Sequence, residues 1–353
     1  MTVSSNTTRP AGGHSASSHS DLLLAGDVGG TKTALALFSA ARGPRAPLRE
    51  AVFPTARYTS PGPMLREFLA GADVRVERAS IAVAGPVQAG RALVTSRSWH
   101  FGEAELAEEI GVPSVHLLND LEAIALATVV LQPGDLHALN AGKPVSGGAV
   151  AVIGPGTGLG ESFLAWNGAR YLAFPSEGGH ADFAPATDLQ ARLLAHLTSR
   201  FGHVSIERVC SGPGLLTIYE FLRESGHAAE SAGMARTLAT VEDKPRTISE
   251  AALRPSGPDA LALAALELFV SILGAEAGNL ALKVLATGGV YLAGGIPMRI
   301  LPALEEGRFM RAFLAKGRMR EFLMPLPVHV ITSRAALLGA ALRGLELATA
   351  SSE

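Results

Sequence analysis

Cysteine and long uncharged hydrophobic runs are what this sequence most clearly lacks. Its 353 residues contain a single cysteine, Cys210, which excludes an internal disulfide and a cysteine-rich zinc site. A chain without disulfides is typical of a reducing compartment, so we expect a cytoplasmic protein. The most apolar stretch, residues 259–286, is interrupted by Glu267, Glu276 and Lys283, and this pattern argues against a membrane-spanning helix.

An excess of charge of either sign is also missing. Thirty basic residues face thirty-two acidic ones, for a net charge of −2, so we expect no nucleic-acid partner. Residues 1–20 lack the apolar segment of a signal peptide, and their serine-rich, threonine-rich composition predicts a disordered tail. Hydrophobic residues make up 48% of the chain, enough for a large core. At ~150 residues per domain, the length favours two domains or one large one.

Strand-like and helix-like segments alternate along the chain, which predicts an α/β fold. Near the start, the strands Leu22–Ala25 and Ala34–Phe38 flank a glycine turn, and residues 147–168 repeat this strand, turn, strand pattern. The repeat predicts two lobes that face each other across a cleft. The other predicted strands are Ala51–Tyr58, Ser80–Ala84, Ala92–Thr95, Val115–Leu118, Gly289–Leu292 and Pro327–Ile331. The predicted helices are Phe101–Ile110, residues 121–132, Thr187–Ser199, Ile206–Glu224, Pro258–Leu285 and Arg334–Leu347.

The first glycine turn, Gly29-Gly30, exposes backbone N–H groups that a phosphate can approach, because no Cβ stands in the way. Thr31 adds a hydroxyl and Lys32 a positive charge, while Asp27 could hold a hydrated Mg²⁺. A plain hairpin explains the turn equally well. The spacing matches neither a Walker motif nor a Rossmann fingerprint.

Two further glycine loops follow predicted strands. Gly154 to Gly160 contains four glycines in seven residues, a cost in conformational entropy that folding alone hardly justifies. Gly294-Gly295 ends the strand that contains Tyr291, where adenine could lie against bare backbone. The alternative for this pair is an ordinary strand or helix terminus.

Polar side chains lie near these loops in the sequence. Asp120 follows a buried strand, and either it or Asn119 could cap the next helix while the other accepts a proton from a substrate hydroxyl. Glu177 and His180 enclose a Gly-Gly pair, which disfavours the helix that a metal site of this spacing needs. Glu207 falls in a predicted helix start after Ser205, where a solvated first-turn glutamate is the alternative. Together these side chains suit a neutral polyhydroxylated substrate.

The chain resembles the bacterial glucokinase family, of the sugar kinase, actin and heat-shock ATPase superfamily. The resemblance covers residues 22–345 and rests on seven blocks in this order: GDVGGTKTALALF, VAGPV, LLNDLEAIAL, GPGTGLGES, PSEGGHADFAP, ERVCSGPGLLTIY and YLAGGIP. It implies a two-lobed actin/hexokinase-like (ribonuclease H-like) fold with the active site in the interlobe cleft, and a homodimer. It further implies a small lobe of residues 21–130 plus 334–353 and a large lobe of residues 131–333.

The resemblance also implies roles for individual residues. Asp120 corresponds to the base that accepts the proton of the glucose 6-hydroxyl, while ATP, with Mg²⁺, donates the phosphoryl group. The positions that correspond to glucose-binding residues are Asn119, Asp120, Glu177, His180 and Glu207. The positions that correspond to the ATP-binding loops are Gly26, Asp27, Val28, Gly29, Gly30, Thr31, Gly156, Thr157, Gly158, Gly294 and Gly295. No direct metal ligand is assigned.

Two positions depart from the family pattern. Lys32 stands where many members have asparagine, and Ser96 stands where the family often has asparagine in the pattern Thr-Asn-x-x-Trp. Sugar selectivity is therefore left open, and a kinase for another hexose or an amino sugar is the alternative within this class. A non-catalytic sugar or nucleotide sensor is the alternative from another class, although a sensor would need no base at Asp120.

Overall fold

The computed structural model describes residues 22–70, 75–94 and 97–350. The predicted tail, residues 1–20, and Ser96 lie outside these described residues. Within them, strands form three sheets. The strands are β1 (Leu22–Val28), β2 (Lys32–Ser39), β3 (Arg49–Pro54), β4 (Val76–Val83), β5 (Val87–Gln88), β6 (Arg91–Val94), β7 (Trp99–Gly102), β8 (Val115–Asn119), β9 (Leu136–Asn140), β10 (Val150–Pro155), β11 (Leu159–Trp166), β12 (Tyr171–Ser176), β13 (Gly289–Leu292) and β14 (Val328–Ile331).

The two large sheets repeat one topology. The first has the order β3-β2-β1-β4-β8, with β1 antiparallel to β2 and parallel to β4. The second has the order β12-β11-β10-β13-β14-β9, with β10 antiparallel to β11 and parallel to β13. When the strands of each sheet are numbered along the chain and the added edge strand β9 is left out, both sheets have the order 3-2-1-4-5. The internal repeat predicted from the two glycine hairpins is confirmed.

Helices cover the outer faces of the sheets and also separate them. They are α1 (Pro61–Ala70), α2 (Glu103–Ile110), α3 (Asp120–Ala127), α4 (Asp188–Phe201), α5 (Gly212–Glu224), α6 (Ala232–Leu238), α7 (Lys244–Ala252), α8 (Ala260–Val284), α9 (Gly295–Arg299), α10 (Leu301–Glu305), α11 (Arg308–Leu314), α12 (Arg320–Leu323) and α13 (Ala335–Ala350).

Several predicted boundaries were wrong, among them the end of the helix predicted over residues 121–132, which lies at Ala127. The strand predicted over Ala51–Tyr58 ends at Pro54 and continues as a 3-10 turn, because Thr55 turns back to contact the first glycine turn. The helix predicted over Ile206–Glu224 is two elements. A short 3-10 turn holds residues 206–208, and α5 begins only at Gly212, where the Ser211 hydroxyl accepts the Gly214 N–H as the helix cap.

Helices α3 and α13 form a layer between the two large sheets. One hydrophobic cluster combines side chains of the first sheet, such as Leu23, with Val152 of the second sheet and with alanines of both helices. The helices approach so closely that a Cβ on Gly339 of α13 would overlap the backbone of Ala123 in α3. The sheets are therefore joined through a shared, small-residue core rather than through a flexible linker alone.

Helix α8 is the longest helix of the described residues and is strongly apolar. Its length and composition would suffice to cross a bilayer, but 67% of its most apolar window is buried inside the fold. It packs against α5, α7 and α11 and contributes Phe269 and Leu273 to the largest hydrophobic cluster. These contacts identify α8 as a core helix.

The close approach of α3 and α13 gives a test of the core. Replacing Gly339 with alanine puts a methyl group onto the Ala123 backbone, and we expect the free energy of unfolding to fall by about 1–3 kcal/mol, as in other overpacked cores. Gly233→Ala in α6 is the matched control, because the nearest atom to its added Cβ is 3.9 Å away. Urea denaturation measures both; an unchanged midpoint for Gly339→Ala would contradict this packing.

Candidate active site

Asp27 and Asp120 lie at the same edge of the first sheet. Asp27 is near the end of β1 and Asp120 directly follows β8, and both strands run parallel to β4 between them. Leu23 and Ala25 of β1 point into the core shared by the two sheets, so alternation along the strand directs Asp27 to that same side. The carboxyl ends of parallel strands are where α/β proteins bind ligands.

The two carboxyl groups influence each other electrostatically. Burial, followed by the charge of Asp27, raises the pKa of Asp120 to about 7. Burial also raises the pKa of Asp27 to about 6, and the Arg334 guanidinium opposes that rise. A carboxyl group that titrates near neutrality is suited to accept a proton from a substrate.

Asn119 is the helix cap, which decides between the two capping candidates. Its Oδ1 accepts the N–H groups of Leu121 at 2.9 Å and Glu122 at 3.3 Å, and its Nδ2 donates to the Gly85 carbonyl at 3.0 Å. Asn119 therefore fixes the first turn of α3 on the loop after β4. The side chain of the adjacent Asp120 accepts the Leu121 N–H at 2.9 Å.

Leu121 docks this turn onto the second glycine hairpin. Gly154 of β10 and Gly160 of β11 lie opposite each other. A Cβ on Gly154 would lie 3.0 Å from one Leu121 methyl carbon, and a Cβ on Gly160 would lie 2.6 Å from the other. The Ser162 hydroxyl adds a hydrogen bond of 2.8 Å to the Leu121 carbonyl. The two glycines thus form a notch for Leu121, and the helix that begins with Asp120 is held against the loop between β10 and β11.

That loop is also fixed by Glu207. The Glu207 Oε2 accepts the Leu159 N–H at 2.9 Å and occupies the space that a Cβ on Gly158 would need. Gly156 has open space beside it and Thr157 is exposed, so these two residues form the accessible tip. Packing accounts for three of the four glycines, because Leu121 and Glu207 fill the space beside them, and it leaves Gly156 without a packing partner.

Glu207 does not begin the long helix as the sequence suggested. It lies in the 3-10 turn of residues 206–208, and Ser205 before it makes no side-chain capping bond. The carboxylate is half-buried and bonded to the glycine loop rather than solvated. The Ser211 hydroxyl donates to the Glu207 carbonyl at 2.8 Å and so links this turn to the start of α5.

The segment Glu177-Gly178-Gly179-His180 forms a tight turn after β12. Gly178 packs against the carboxyl group of Glu161, and Gly179 packs against the Leu159 carbonyl, so both glycines have a packing reason. Glu177 and His180 project outward, with side chains 81% and 64% exposed and 3.8 Å between Oε2 and Nε2. The Ile206 N–H donates to Ala181 O at 2.8 Å, which joins this turn to the turn of Glu207.

The first glycine turn is anchored from two sides. The buried Thr55 hydroxyl donates to the Gly29 carbonyl at 2.8 Å, and Arg97 Nε donates to the Gly30 carbonyl at 2.7 Å. Thr31 and Lys32 are exposed at its tip. The neighbouring candidates Gly26 and Val28 are buried within β1, and a Cβ on Gly26 would lie 2.9 Å from an Ile81 methyl carbon.

The third glycine pair follows β13. Gly294 has φ +89°, a conformation that favours glycine, and Gly295 begins α9 with open space around its Cα. The Gly212 N–H donates to the Gly156 carbonyl at 2.7 Å, and a Cβ on Gly212 would lie 3.8 Å from Ile296. The second and third glycine loops therefore meet at the start of α5.

Comparison with known proteins decides the family. The glucokinase family profile matches residues 24–346. The chain belongs to the glucokinase family. A glucokinase of a Nostoc species is 42% identical over 337 residues, which cover 91% of this chain and 98% of that relative.

Solved glucokinase structures share the fold. That of a glucokinase from an Antarctic psychrotroph is 32% identical, with a TM-score of 0.77 over 92% of this chain and 99% of that chain. A ROK family glucokinase from Streptomyces griseus, solved in complex with glucose and AMPPNP, is 21% identical, with a TM-score of 0.62 over 92% of this chain and 99% of that chain. The second likeness shows the fold alone. The predicted two-lobed actin/hexokinase-like α/β fold is confirmed.

Several residues that shape this glucokinase-family site were not found from the sequence. Thr55, Arg97, Leu121 and Glu161 reach the glycine turns from distant parts of the chain. Their residue types carry no motif, and each acts through a contact that only the folded chain creates. The one available signal in the sequence was Glu161, a glutamate inside an apolar, strand-like run.

The raised pKa of Asp120 predicts a pH-dependent gain of stability in Asp120→Asn. Because the folded-state pKa lies above the ordinary value of 3.8, the stability contributed by the neutral form is present below about pH 4 and lost as the pH rises through 7. We therefore expect the Tm of Asp120→Asn to exceed that of the parent, and by more at pH 8 than at pH 5.

Asp135→Asn is the control of opposite sign. The Asp135 carboxylate accepts the Gln132 N–H and an Arg45 N–H, each at 2.8 Å, and these bonds lower its pKa. Its loss should reduce Tm at neutral pH. Differential scanning fluorimetry measures both variants, and a Tm difference for Asp120→Asn that does not change with pH would refute the assignment of a raised pKa.

Proposed function

We propose that this protein transfers the γ-phosphoryl group of ATP to the 6-hydroxyl of D-glucose, giving glucose 6-phosphate and ADP, with Asp120 as the general base. Membership of the glucokinase family makes the chain an ATP-dependent hexose kinase. The observation that carries the assignment of the base is the pair Asp27 and Asp120, of which Asp120 has a pKa near neutrality and is held against the second glycine loop by its neighbour Leu121.

The role of Asp120 follows from its protonation and its surroundings. In its ionised form the carboxylate accepts the proton as the sugar oxygen attacks phosphorus, a contribution of ~10²–10⁴-fold in rate. The remaining catalysis is positioning and charge neutralisation, as in other phosphoryl transfers. Asn119 supports this step by fixing the first turn of α3 through its cap and its bond to the Gly85 carbonyl.

Glucose recognition is assigned to Asn119, Asp120, Glu177, His180 and Glu207. Carboxylates, an amide and an imidazole can each pair with one hydroxyl group of the sugar. An analogue that lacks or misplaces a hydroxyl leaves one of these groups unpaired and therefore binds more weakly. The exposed Glu177 and His180 are free to meet a ligand, whereas the bond from Glu207 to Leu159 N ties sugar recognition to the phosphate loop.

ATP is assigned to the three glycine turns. In the first, Gly26, Asp27, Val28, Gly29, Gly30 and Thr31 are the proposed residues; the second contributes Gly156, Thr157 and Gly158, and the third Gly294 and Gly295. The open tips at Gly156 and Gly295 support this assignment, because nothing lies within 4 Å of a Cβ built there. Backbone N–H groups at such tips bind phosphate without steric hindrance.

Mg²⁺ would enter with the nucleotide and be held by Asp27 through water. The charge distribution supports this, because the Asp27 charge raises the pKa of Asp120 and a cation beside Asp27 would offset that repulsion. When bound, Mg²⁺ neutralises charge on the phosphates. The described residues contain no cluster of three or more acidic, histidine or cysteine side chains suited to hold a metal directly.

The proposal extends to organisation and location. The small lobe would comprise residues 21–130 plus 334–353 and the large lobe residues 131–333, which fits the division of the strands between the two large sheets. A homodimer and a cytoplasmic location complete it. The first rests on the family resemblance alone, and the second on the single, buried Cys210.

A coupled assay of the purified protein with Mg·ATP tests the substrate. We expect kcat/KM for glucose to exceed that for mannose, fructose and N-acetylmannosamine by at least ~10-fold, since each hydroxyl that loses its partner weakens the transition state. Preference for another of these sugars would transfer the proposal to that hexose. Bound ATP without turnover of any sugar would favour a sensor.

Asp120→Ala is the control for catalysis in the same assay. We expect kcat to fall at least ~10²-fold while glucose affinity, measured by calorimetry, stays within about tenfold. Activity equal to that of the parent would remove Asp120 from the role of base.

A further inference from the structure

A buried carboxyl group lies directly behind the turn that carries Glu177 and His180. Glu161 is in β11, only 2% exposed, and its Oε1 has no hydrogen-bond partner among the described residues. Buried polar atoms are nearly always paired, so an unpaired one calls for an explanation. The phosphoryl transfer proposed above does not use this group.

The strand register places Glu161 against this turn. Glu161 lies opposite Ser176 of β12, and its Oε2 fills the space that a Cβ on Gly178 would occupy. The Ser176 hydroxyl accepts the Gly178 N–H at 3.0 Å. Gly178 is therefore held from two sides, by the Ser176 hydroxyl and by the Glu161 carboxyl group.

The charges around Glu161 favour its neutral form. On α8, Glu276 forms an ion pair with Lys283 at 3.3 Å and accepts the Asn279 amide at 2.9 Å. Burial, followed by the charge of Glu276, raises the pKa of Glu161 to about 7, and Lys283 opposes this rise. The third titratable neighbour, Cys210, is fully buried, and its thiol pKa is raised by burial and by the same two glutamates.

We propose that Glu161 is a positioning residue for glucose: its protonated carboxyl group, packed against Gly178, fixes the turn that presents Glu177 and His180 to the sugar. This inference rests on the proposed role of those two side chains. It explains why the first residue of the Gly-Gly pair is a glycine, because any side chain at Gly178 would displace the Glu161 carboxyl group.

Ionisation of Glu161 would disturb this arrangement. A carboxylate at this place has no cation of its own, because Lys283 is paired with Glu276, and an unpaired buried charge is unfavourable. The turn must then move to admit water. Glucose binding weakens as a result.

The pH dependence of KM in the parent and in Glu161→Gln tests the inference. Between pH 6 and pH 8.5 we expect KM for glucose to rise roughly fivefold more in the parent than in the variant, the low end for an unsatisfied buried group; the titration of Asp120 over this range is common to both proteins. KM for ATP should have the same pH dependence in both proteins. An equal rise of glucose KM in parent and variant would overturn the inference.

A compensating pair of substitutions tests the contact itself. Gly178→Ala places a methyl group on the Glu161 carboxyl group, so we expect a higher KM for glucose with little change in kcat. The double variant Gly178→Ala, Glu161→Ala makes room for that methyl group and should recover part of the glucose affinity; no recovery would count against the contact.

The two proposals fail in different ways. A parent protein that does not phosphorylate glucose at either pH contradicts the proposed function. A parent that phosphorylates glucose with the same pH dependence as Glu161→Gln contradicts only the role of Glu161.

Discussion

The docking of one leucine side chain connects the two halves of the candidate site. Leu121 enters the notch between Gly154 and Gly160, and Ser162 bonds its carbonyl. Because α3 begins at Asp120, this contact fixes the proposed base relative to the loop assigned to phosphate. The first sheet supplies the carboxylate and the second supplies the loop. Their relative placement depends on the absence of a Cβ at Gly154 and at Gly160.

The same arrangement carries an electrostatic cost. Asp27 and Asp120 lie half-buried near each other, and burial raises the pKa of both carboxyl groups. A core selected for stability alone would pair such groups or replace them. Their retention in a well-packed interface is typical of a functional site, where local rules are broken for chemistry and the surrounding packing supplies the stability.

Periodicity and turn signals predicted much of the fold. The strand Gly289–Leu292 has the predicted bounds, and the repeated glycine hairpin indicated the repeated sheet order. Helices α1, α6, α7 and α9 to α12 were not predicted. The last four are segments of four to seven residues, which are too short to establish a helical period. Helix α5 was placed too early because the sequence around Ser211 also suits continuous helix.

The site was predictable in its residue types but not in its contacts. Asn119-Asp120 was correctly placed at the end of a buried strand, and the cap could not be assigned because spacing permits either residue. The glycines of the second loop were interpreted through phosphate binding alone. Their packing partners, Leu121 and Glu207, lie some 30 to 50 residues away in the chain, at distances such as the 48 residues between Leu159 and Glu207, and local patterns contain no record of such contacts.

The most direct test of the account is the kcat of Leu121→Ala with saturating glucose and Mg·ATP. If the Gly154 and Gly160 notch fixes Asp120 against the phosphate loop, kcat should fall by ~10- to 100-fold, as for other small displacements of a reacting group, while circular dichroism shows an intact fold. A kcat equal to that of the parent would show that Asp120 is positioned independently of the second glycine hairpin, and would contradict the account.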